Sequence, residues 1–459
     1  MILGKVFERF VQRSPVTVMV RGVLENVFAE RSIDALFEAT AERQYCGELL
    51  FSSVVDLLAQ VVAGTRKSVR DAYQTDADKF EVSLRSVYNK LNGTEIAVSR
   101  ALVRETAGRL GRLIRRLNAT LPAPLPGYRC KIIDGNHLPA TEHRLKELRT
   151  TKSGPLPGQA LVVLEPELML ATDVFPCEDG HAQERSLLPE VLQTVEAGDA
   201  WVADRNFCTT DFLFGIAARK SHFVIRQHAS TLTWEFIDRR RKMGRCDTGM
   251  LYAQSMRITH PDGREMIVRR ITVKLDTPTR HGETEIHILT NLPKRVGAWM
   301  IAKAYRGRWR VENAFQELGQ ALRSEIKTLG YPPAALLGFC IGLLTYNTIS
   351  VVKAALRSVH GEEAALEKIS GYYLASEISA TYQGMMIAIP AAQWTCAFAD
   401  LHIPTLANLL KELAGHVRLD QFRKNVRGPK KPPPKRSSGK RQKHVSTARL
   451  LAQRKLVLK

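Results

Sequence analysis

The chain has 459 residues, with 67 lysines and arginines against 46 aspartates and glutamates, which gives a net charge of +21. This excess goes far beyond what solubility requires and favours a nucleic-acid partner. The length suffices for two or three domains with a large core. The sequence contains neither a Cys-x2-Cys pair nor a Gly-x4-Gly-Lys-Ser/Thr motif, so neither zinc nor a nucleotide cofactor is expected. Seven scattered cysteines and the lack of a secretion signal at the N-terminus predict a cytoplasmic location.

Residues 1–120 are predicted to be helical, and Pro122, Pro124 and Pro126 then mark a linker. Within the helical part, residues 68–73 and 83–90 have the spacing of a helix-turn-helix unit. The next helix carries a row of arginines that either follows DNA phosphates or is only solvated. These are Arg100, Arg104, Arg109, Arg112, Arg115 and Arg116.

Two short apolar segments, 129–134 and 200–204, each end in an aspartate. Both are β-prone and are followed at once by turn-forming residues, so each predicts a buried strand. An acidic residue at the carboxyl end of such a strand lies at the edge of an α/β sheet, where ligand sites form. If the strands are neighbours, Asp134 and Asp204 meet, and paired carboxylates favour Mg²⁺ or Mn²⁺. The alternative is that both aspartates only cap their strands.

The next candidate acidic residue, Glu312, follows 108 positions later, far more than one connection requires, which indicates an insertion. Residues 228–292 contain β-prone runs and a Pro-Asp-Gly turn, and they predict a β-rich insertion. Arg240 and Arg241 belong to a basic cluster that either binds DNA or is solvated. Trp234 either stacks on an unpaired base or packs beneath the insertion.

Glu312 lies in a strongly helical stretch. At ~100° per residue, Tyr305, Arg308 and Glu312 fall within about 60° of one another on a helical wheel, beside an apolar stripe. Trp309 adjoins this group. Glu317 projects roughly 140° away from Glu312 and is the poorer candidate for a third metal ligand. Glu312 is therefore the predicted partner of the two aspartates.

The C-terminal part divides into a helical region, residues 331–418, and a basic tail, residues 419–459. Residues 334–352 carry no charge over nineteen positions, which is long enough for a membrane span. Their polar residues and glycines instead favour a helix buried against the sheet. Positions 423–459 hold fourteen lysines and arginines and no acidic residue, two thirds of the net charge. We expect a disordered tail that either screens phosphates or is only solvated.

Tyr305, Arg308 and Glu312 have the spacing Tyr-x2-Arg-x3-Glu, and residues 308–312 read Arg-Trp-Arg-Val-Glu. On these residues the chain resembles the DDE transposases of bacterial insertion sequences, in the group (insertion-sequence family four) with the signature Tyr-x2-Arg-x3-Glu-x6-Lys. The resemblance covers roughly residues 130–350. It departs at the lysine, where this sequence has Gly319, and Arg323 one turn later could supply a longer cationic arm.

The resemblance implies an α/β fold with an RNase H-like catalytic core over residues 128–330, interrupted by the β-rich insertion at 228–292. A helical N-terminal domain, residues 1–120, would bind DNA ends. The helical C-terminal region, residues 331–418, could take part in dimerisation.

The implied activity is binding of inverted-repeat ends, metal-dependent cleavage, hairpin formation and strand transfer in a bacterial cytoplasm, next to the nucleoid. Asp134, Asp204 and Glu312 would hold two Mg²⁺ or Mn²⁺ ions. The expected DNA contacts are Tyr305, Arg308, Trp309, Arg323, Arg240 and Arg241. The implied partners are double-stranded DNA and a second copy of the chain, without a membrane. Two alternatives stay open: a decayed transposase that only binds DNA, which Gly319 supports, and a metal-dependent nuclease without strand transfer.

Overall fold

The structure is a computed structural model that describes residues 3–44, 47–279, 281–320, 322, 326–364, 368–425 and 445–457. Within these residues, seven helices precede the first strand. They are α1 (Lys5–Arg13), α2 (Pro15–Val27), α3 (Glu30–Thr40), α4 (Phe51–Val62), α5 (Val69–Thr75), α6 (Leu84–Gly93) and α7 (Ile96–Arg116). Ser68 and Ser83 begin α5 and α6, because each side-chain oxygen accepts a hydrogen bond from a backbone N–H three residues later.

The middle of the chain forms the sheet. Its strands are β1 (Arg129–His137), β2 (Pro155–Leu156), β3 (Gln159–Glu165), β4 (Leu170–Cys177), β5 (Asp199–Ala203), β6 (His222–Arg226), β7 (Thr233–Phe236), β8 (Arg241–Cys246), β9 (Gly249–Thr259), β10 (Glu265–Leu275) and β11 (Glu285–Thr290). Helices α8 (Leu188–Gln193) and α9 (Thr210–Ala218) connect the core strands.

In the described chain, ten strands form one mixed sheet with the order β4-β3-β1-β5-β6-β11-β10-β9-β7, and β8 pairs with β9. β1, β5 and β6 run parallel, and β3 lies antiparallel between β1 and the outer strand β4. With helices on both faces, this arrangement confirms the predicted α/β fold with an RNase H-like core. The predicted β-rich insertion continues the central sheet, because β11 pairs directly with β6.

Both faces of the core strands are buried, which explains why their sequences read as apolar runs. Ile132 belongs to the core beneath α7 and the C-terminal helices, whereas its neighbour Ile133 packs with α8 and α9. Arg100 fixes α7 to β4, because its guanidinium donates to both oxygens of Asp173 at 3.0 Å and stacks on the ring of Phe175. At least this arginine of the predicted basic row is therefore bound within the protein.

The helices after the sheet are α10 (Ala298–Arg306), α11 (Trp309–Gln320), α12 (Pro332–His360), α13 (Gly371–Ala388), α14 (Ala391–Trp394) and α15 (Ile403–Gly415). They pack together with the N-terminal helices: Arg21 of α2 donates to the Tyr382 hydroxyl at 3.0 Å, and Asn26 donates to the Phe398 carbonyl oxygen at 2.8 Å. The N-terminal and C-terminal helical regions thus form one layer over the sheet.

Among the described helices, α12 is the one long and apolar enough to cross a membrane, and 94% of its most apolar window is buried inside the protein. Asn347 shows why this helix belongs to the core. Its amide accepts from the Ala171 N–H at 2.8 Å and donates to the Ala171 carbonyl oxygen at 2.9 Å. The side chain thereby satisfies both backbone groups of a residue in the outer strand β4. The helix is buried against the sheet, as its sequence predicts.

The end of the chain differs from the predicted disordered tail. Residues 426–444 lie outside the described residues, but Val445–Ser446 form strand β12 and Thr447–Val457 form helix α16. β12 pairs in parallel with β2, and Arg449 and Arg454 form ion pairs with Asp179 and Glu147. Composition predicts disorder for a basic segment, but pairing with β2 and these two ion pairs hold its last residues against the protein.

Candidate active site

Asp134 and Asp204 lie side by side on neighbouring parallel strands. The register pairs Ile132 of β1 with Val202 of β5, and each aspartate follows its paired residue by two positions. Because side chains two positions apart point to the same face, both carboxylates lie on the face that carries Ile132 and Val202. Helix α11 packs against β1. The prediction that two strands bring these residues together therefore agrees with the register.

The prediction that Asp134 ends its strand is wrong. β1 continues to His137 through antiparallel pairing with β3, in which Asp134 faces Val162. β5, in contrast, ends at Ala203. Asp204 begins a short 3₁₀ turn, and its Oδ1 accepts from the Asn206 N–H at 2.7 Å. Pairing with a partner strand thus extends β1 beyond the point at which its apolar pattern stops.

Glu312 lies in the first turn of α11. The predicted continuous helix through residues 305–318 is interrupted, because α10 ends at Arg306 and α11 starts at Trp309. The N–H groups of Arg308 and Arg310 bond to carbonyl oxygens three residues back, at 3.0 and 3.1 Å, which is the spacing of a 3₁₀ turn. A glycine at position 307 favours this interruption because glycine has a low helix propensity.

Arg308 joins the two carboxylates that the sheet and the helix contribute. Its Nη1 donates to Asp134 Oδ2 at 2.6 Å, and its Nη2 donates to Glu312 Oε1 at 2.6 Å. The Arg308 side chain is only 11% exposed. Contacts of this kind are charge-assisted and strong, and burial strengthens them further. The predicted grouping of Arg308 with Glu312 agrees with this geometry in spite of the break between α10 and α11.

Asp134 carries an unusual charge state. The pKa of its carboxyl is raised to about 7, chiefly by burial and in addition by the negative charges of Asp204 and Glu312. Arg308 and the Gly135 N–H act in the opposite direction. A carboxyl that titrates near neutral pH is typical of functional sites, where like charges are held close together.

Tyr305 is the second residue of the predicted signature near the acidic group. Burial raises the pKa of its hydroxyl, the neighbouring charge of Asp204 raises it further, and Arg308 and Arg226 lower it. Arg226 is a residue that sequence reasoning missed. It ends β6, the strand next to β5, and this position at a strand end is the signal that could have identified it.

Beside Tyr305, the structure has an open cavity of about 320 Å³ between the core and the insertion. Its lining combines cationic, acidic and aromatic side chains, including Arg205, Arg226, Trp234, Arg270 and Glu283. Glu283 forms ion pairs with both Arg205 and Arg226. Trp234 is therefore partly packed and partly at a cavity wall, in edge contact with Phe236.

The remaining predicted DNA contacts have different environments. Trp309 is 57% exposed at the start of α11. Arg240 pairs with Glu285 at 2.8 Å and stacks on Tyr252, and Arg241 pairs with Asp238 at 2.6 Å. Both arginines belong to the insertion and not to the acidic group. Gly319 is exposed on α11, and Arg323 lies outside the described residues.

The donor set suits a hard divalent cation, because carboxylate oxygens are the ligands that Mg²⁺ and Mn²⁺ prefer. In the described chain, no group of three or more His, Cys, Asp or Glu side chains is arranged to hold a metal ion. At the acidic group, Arg308 donates to one oxygen of Asp134 and one of Glu312. A divalent cation bound here would compete with the guanidinium for these oxygens.

The mixed sheet with helices on both faces is an α/β fold of the RNase H-like class, and it carries acidic residues on two neighbouring central strands and on a following helix. Residues 125–348 match the sequence model of the family described as Transposase DDE domain. This segment includes Asp134, Asp204 and Glu312, and the match supports a DDE transposase, a class whose domains use divalent metal ions.

Among solved structures, the chain is similar to "Cryo-EM structure of piggyBac transposase synaptic complex with hairpin DNA (SNHP)". The sequence identity is 10%, the alignment covers 88% of this chain and 86% of that chain, and the TM-score is 0.38. A similarity this distant supports no inference about the site. A search of curated proteins found no match.

The raised pKa of Asp134 predicts a pH-dependent cost in stability. Its folded-state pKa of about 7 lies above the unfolded value of about 4, so the folded protein holds a proton that the unfolded chain loses between these values. The free energy of unfolding therefore falls as pH rises from about 4 to about 7. Without metal, we expect the free energy of unfolding of Asp134→Asn minus that of wild type to increase by roughly 2–4 kcal/mol between pH 4 and pH 8.

Urea unfolding over this pH range, in EDTA, measures the difference. Asp400→Asn, at an exposed aspartate outside the site, is the matched control. A constant difference between wild type and Asp134→Asn at every pH would contradict the expectation.

Proposed function

We propose that this chain is a DNA transposase of the insertion-sequence type with the Tyr-x2-Arg-x3-Glu signature. It binds the inverted-repeat ends of its element, cleaves them, forms and reopens a hairpin, and joins the freed 3′-hydroxyls to target DNA. Asp134, Asp204 and Glu312 are the proposed catalytic residues. The observation that carries the proposal is the geometry of this group: the pairing of β1 with β5 places Asp134 beside Asp204, and Arg308 joins Asp134 to Glu312.

These three carboxylates are the proposed ligands of two Mg²⁺ or Mn²⁺ ions. Bound ions of this kind activate an attacking hydroxyl and stabilise the leaving oxygen in phosphoryl transfer. The protein's own contribution is positional. The pairing of β1 with β5 fixes the two aspartates relative to each other, and α11 presents Glu312 from the layer that packs on β1.

Arg308 is the proposed contact to the DNA phosphate next to the cut. Its guanidinium can bind a phosphate in the same two-pronged way in which it now binds Asp134 and Glu312. Its buried Nε makes no hydrogen bond within the described residues, so donor capacity remains for a third oxygen. If a DNA phosphate replaced the carboxylates as the partner of Arg308, Asp134 and Glu312 would be free to bind the metal. DNA binding would then increase the affinity for the metal, and metal binding would increase the affinity for DNA.

The cavity beside Tyr305 is the proposed path of the strand that leaves the active site. Arg205, Arg226 and Arg270 supply positive charge along it, and Trp234 supplies an aromatic wall. Aromatic stacking on an unpaired base contributes about 1–3 kcal/mol. Arg241, which is 65% exposed, and Arg240 extend the positive surface onto the insertion, and Trp309 extends the aromatic surface onto α11.

The proposal also gives a role to the parts of the chain outside the active site. The N-terminal helices are proposed to recognise the end sequence, and the helical layer they share with the C-terminal region is proposed to contact a second subunit in the synaptic complex. The basic residues before position 445 are proposed to screen phosphates, and the protein is proposed to act in the cytoplasm.

The direct test is cleavage of DNA that carries the inverted repeats flanking the gene. We expect cuts at the repeat tips with Mg²⁺, none with EDTA, and a loss of at least a thousandfold in Glu312→Gln. Glu317→Gln is the matched control on the same helix, where the carboxylate binds Lys353 instead.

End binding without cleavage by wild type would support the DNA-binding alternative. Cleavage without strand-transfer products would support the alternative of a metal-dependent nuclease.

If Arg308 changes partners from carboxylates to phosphate, its removal should have opposite effects on metal binding and on DNA cleavage. In Arg308→Ala, Mn²⁺ binding to the DNA-free protein at pH 8.5 should become about tenfold tighter, because the competing cation is removed. Cleavage of repeat DNA should fall at least a hundredfold, because the phosphate contact is lost. Calorimetric titration and single-turnover cleavage provide the two readouts.

Arg306→Ala is the control, since Arg306 is half-exposed and pairs with Asp247. Weaker Mn²⁺ binding in Arg308→Ala would contradict the exchange.

Trp309 and Trp299 form a matched pair of exposed tryptophans, at 57% and 47% exposure, on consecutive helices. Trp309 adjoins Arg308, whereas Trp299 lies on the first turn of α10, under Lys303. We expect Trp309→Ala to weaken binding to repeat DNA about tenfold in EDTA and Trp299→Ala to leave it unchanged. Fluorescence anisotropy with labelled DNA measures both, and equal effects would rule out a specific contact by Trp309.

A further inference from the structure

A fourth carboxylate, Glu184, contacts Gly135 and Asn206, which stand one and two positions after the two aspartates. It starts a 3₁₀ turn after the loop that follows β4. One oxygen, Oε2, accepts a short hydrogen bond from the Asn206 side-chain amide. The other, Oε1, lies against the backbone of Gly135. Glu184 therefore touches the residue next to Asp134 and the residue two positions after Asp204.

The contact with Gly135 depends on the missing side chain at that position. A Cβ built on Gly135 would collide with the Glu184 carboxylate. The backbone itself does not require glycine here, because Gly135 is absent from the positive-φ glycines of the described chain. The close approach of Glu184 to β1 is thus the feature of the site that a residue other than glycine would prevent.

Glu184 acts from the opposite side of the sheet. Positions 133 and 135 of β1 point to the face covered by α8 and α9, whereas Asp134 points to the face of α11. Asn206 connects Glu184 to the face that carries Asp134 and Asp204. The amide of Asn206 donates to Glu184, its backbone N–H donates to Asp204 Oδ1 at 2.7 Å, and its carbonyl oxygen accepts from Arg185 Nε at 2.7 Å.

We propose that Glu184 is a positioning residue of the active site, which sets the orientation of the Asp204 carboxylate through Asn206 and supports Asp134 through the backbone of Gly135. This inference rests on the proposed function, because it concerns how the two aspartates are held for the metal. Outer residues that orient metal ligands typically change metal affinity by 10–100-fold when they are removed. The role is one of hydrogen bonding, so an amide in place of the carboxylate can serve it.

The first readout needs no metal. In the metal-free protein, Glu184→Ala should increase hydrogen–deuterium exchange at the backbone N–H of Asn206 about tenfold. Glu184→Gln should leave this exchange near the wild-type value, because its carbonyl oxygen still accepts from Asn206. Glu190→Ala is the control, since this carboxylate is 57% exposed on α8. Unchanged exchange in Glu184→Ala, or equal increases in the Ala and Gln variants, overturns the proposal.

The second readout is Mn²⁺ affinity of the complex with repeat DNA, measured by calorimetric titration. We expect Glu184→Ala and Gly135→Ala each to weaken binding about tenfold, and the double variant to be no weaker than Glu184→Ala alone, since both act on one contact. Additive losses would overturn the proposal.

Asp134→Asn in the same titration separates the two hypotheses. If it binds Mn²⁺ like wild type, the proposed catalytic site fails. If it loses binding while Glu184→Ala keeps wild-type affinity, only the role of Glu184 fails.

Discussion

The site is organised around the ion pairs of Arg308 with Asp134 and Glu312. Carboxylates from a sheet and a helix that share a partly buried space either hold a proton or bind a cation, because their repulsion and desolvation both disfavour the fully ionised form. The pKa of Asp134 is raised chiefly by burial, with smaller contributions from the charges of Asp204 and Glu312, although Arg308 acts in the opposite direction. A divalent cation would stabilise the ionised carboxylates at this point.

The sheet makes this concentration of charge possible. Parallel pairing of β1 with β5 brings Asp134 and Asp204 to one face, and packing on both faces holds the strands rigidly. Asn347 of α12 binds the backbone of the outer strand β4, so the helix is hydrogen-bonded to the sheet as well as packed on it. Glu184 approaches from the opposite face, where Gly135 leaves room. The acidic group is therefore supported from both sides.

The insertion and the chain end change how the net charge is distributed. Because β11 pairs with β6, the insertion and the core line one cavity together. Glu283 forms ion pairs there with Arg205, which follows β5, and with Arg226, which ends β6. At the C-terminus, Arg449 and Arg454 are bound to Asp179 and Glu147. A count of the lysines and arginines alone therefore overstates the number of cations that remain available to phosphates.

The strands, the β-rich insertion, the helix that carries Glu312 and the burial of α12 could be predicted from the sequence, because each depends on a local pattern of apolar and turn-forming residues. The length of β1, the folded end of the tail and the contacts of Arg226 and Glu184 could not. Each of these depends on partners distant in sequence: β3 for β1, β2 and Asp179 for the tail, Tyr305 for Arg226, and Asn206 for Glu184. Periodicity determines which residues face a core, whereas the charge state of Asp134 and its bond to Arg308 arise only when the fold brings residues 174 positions apart into contact.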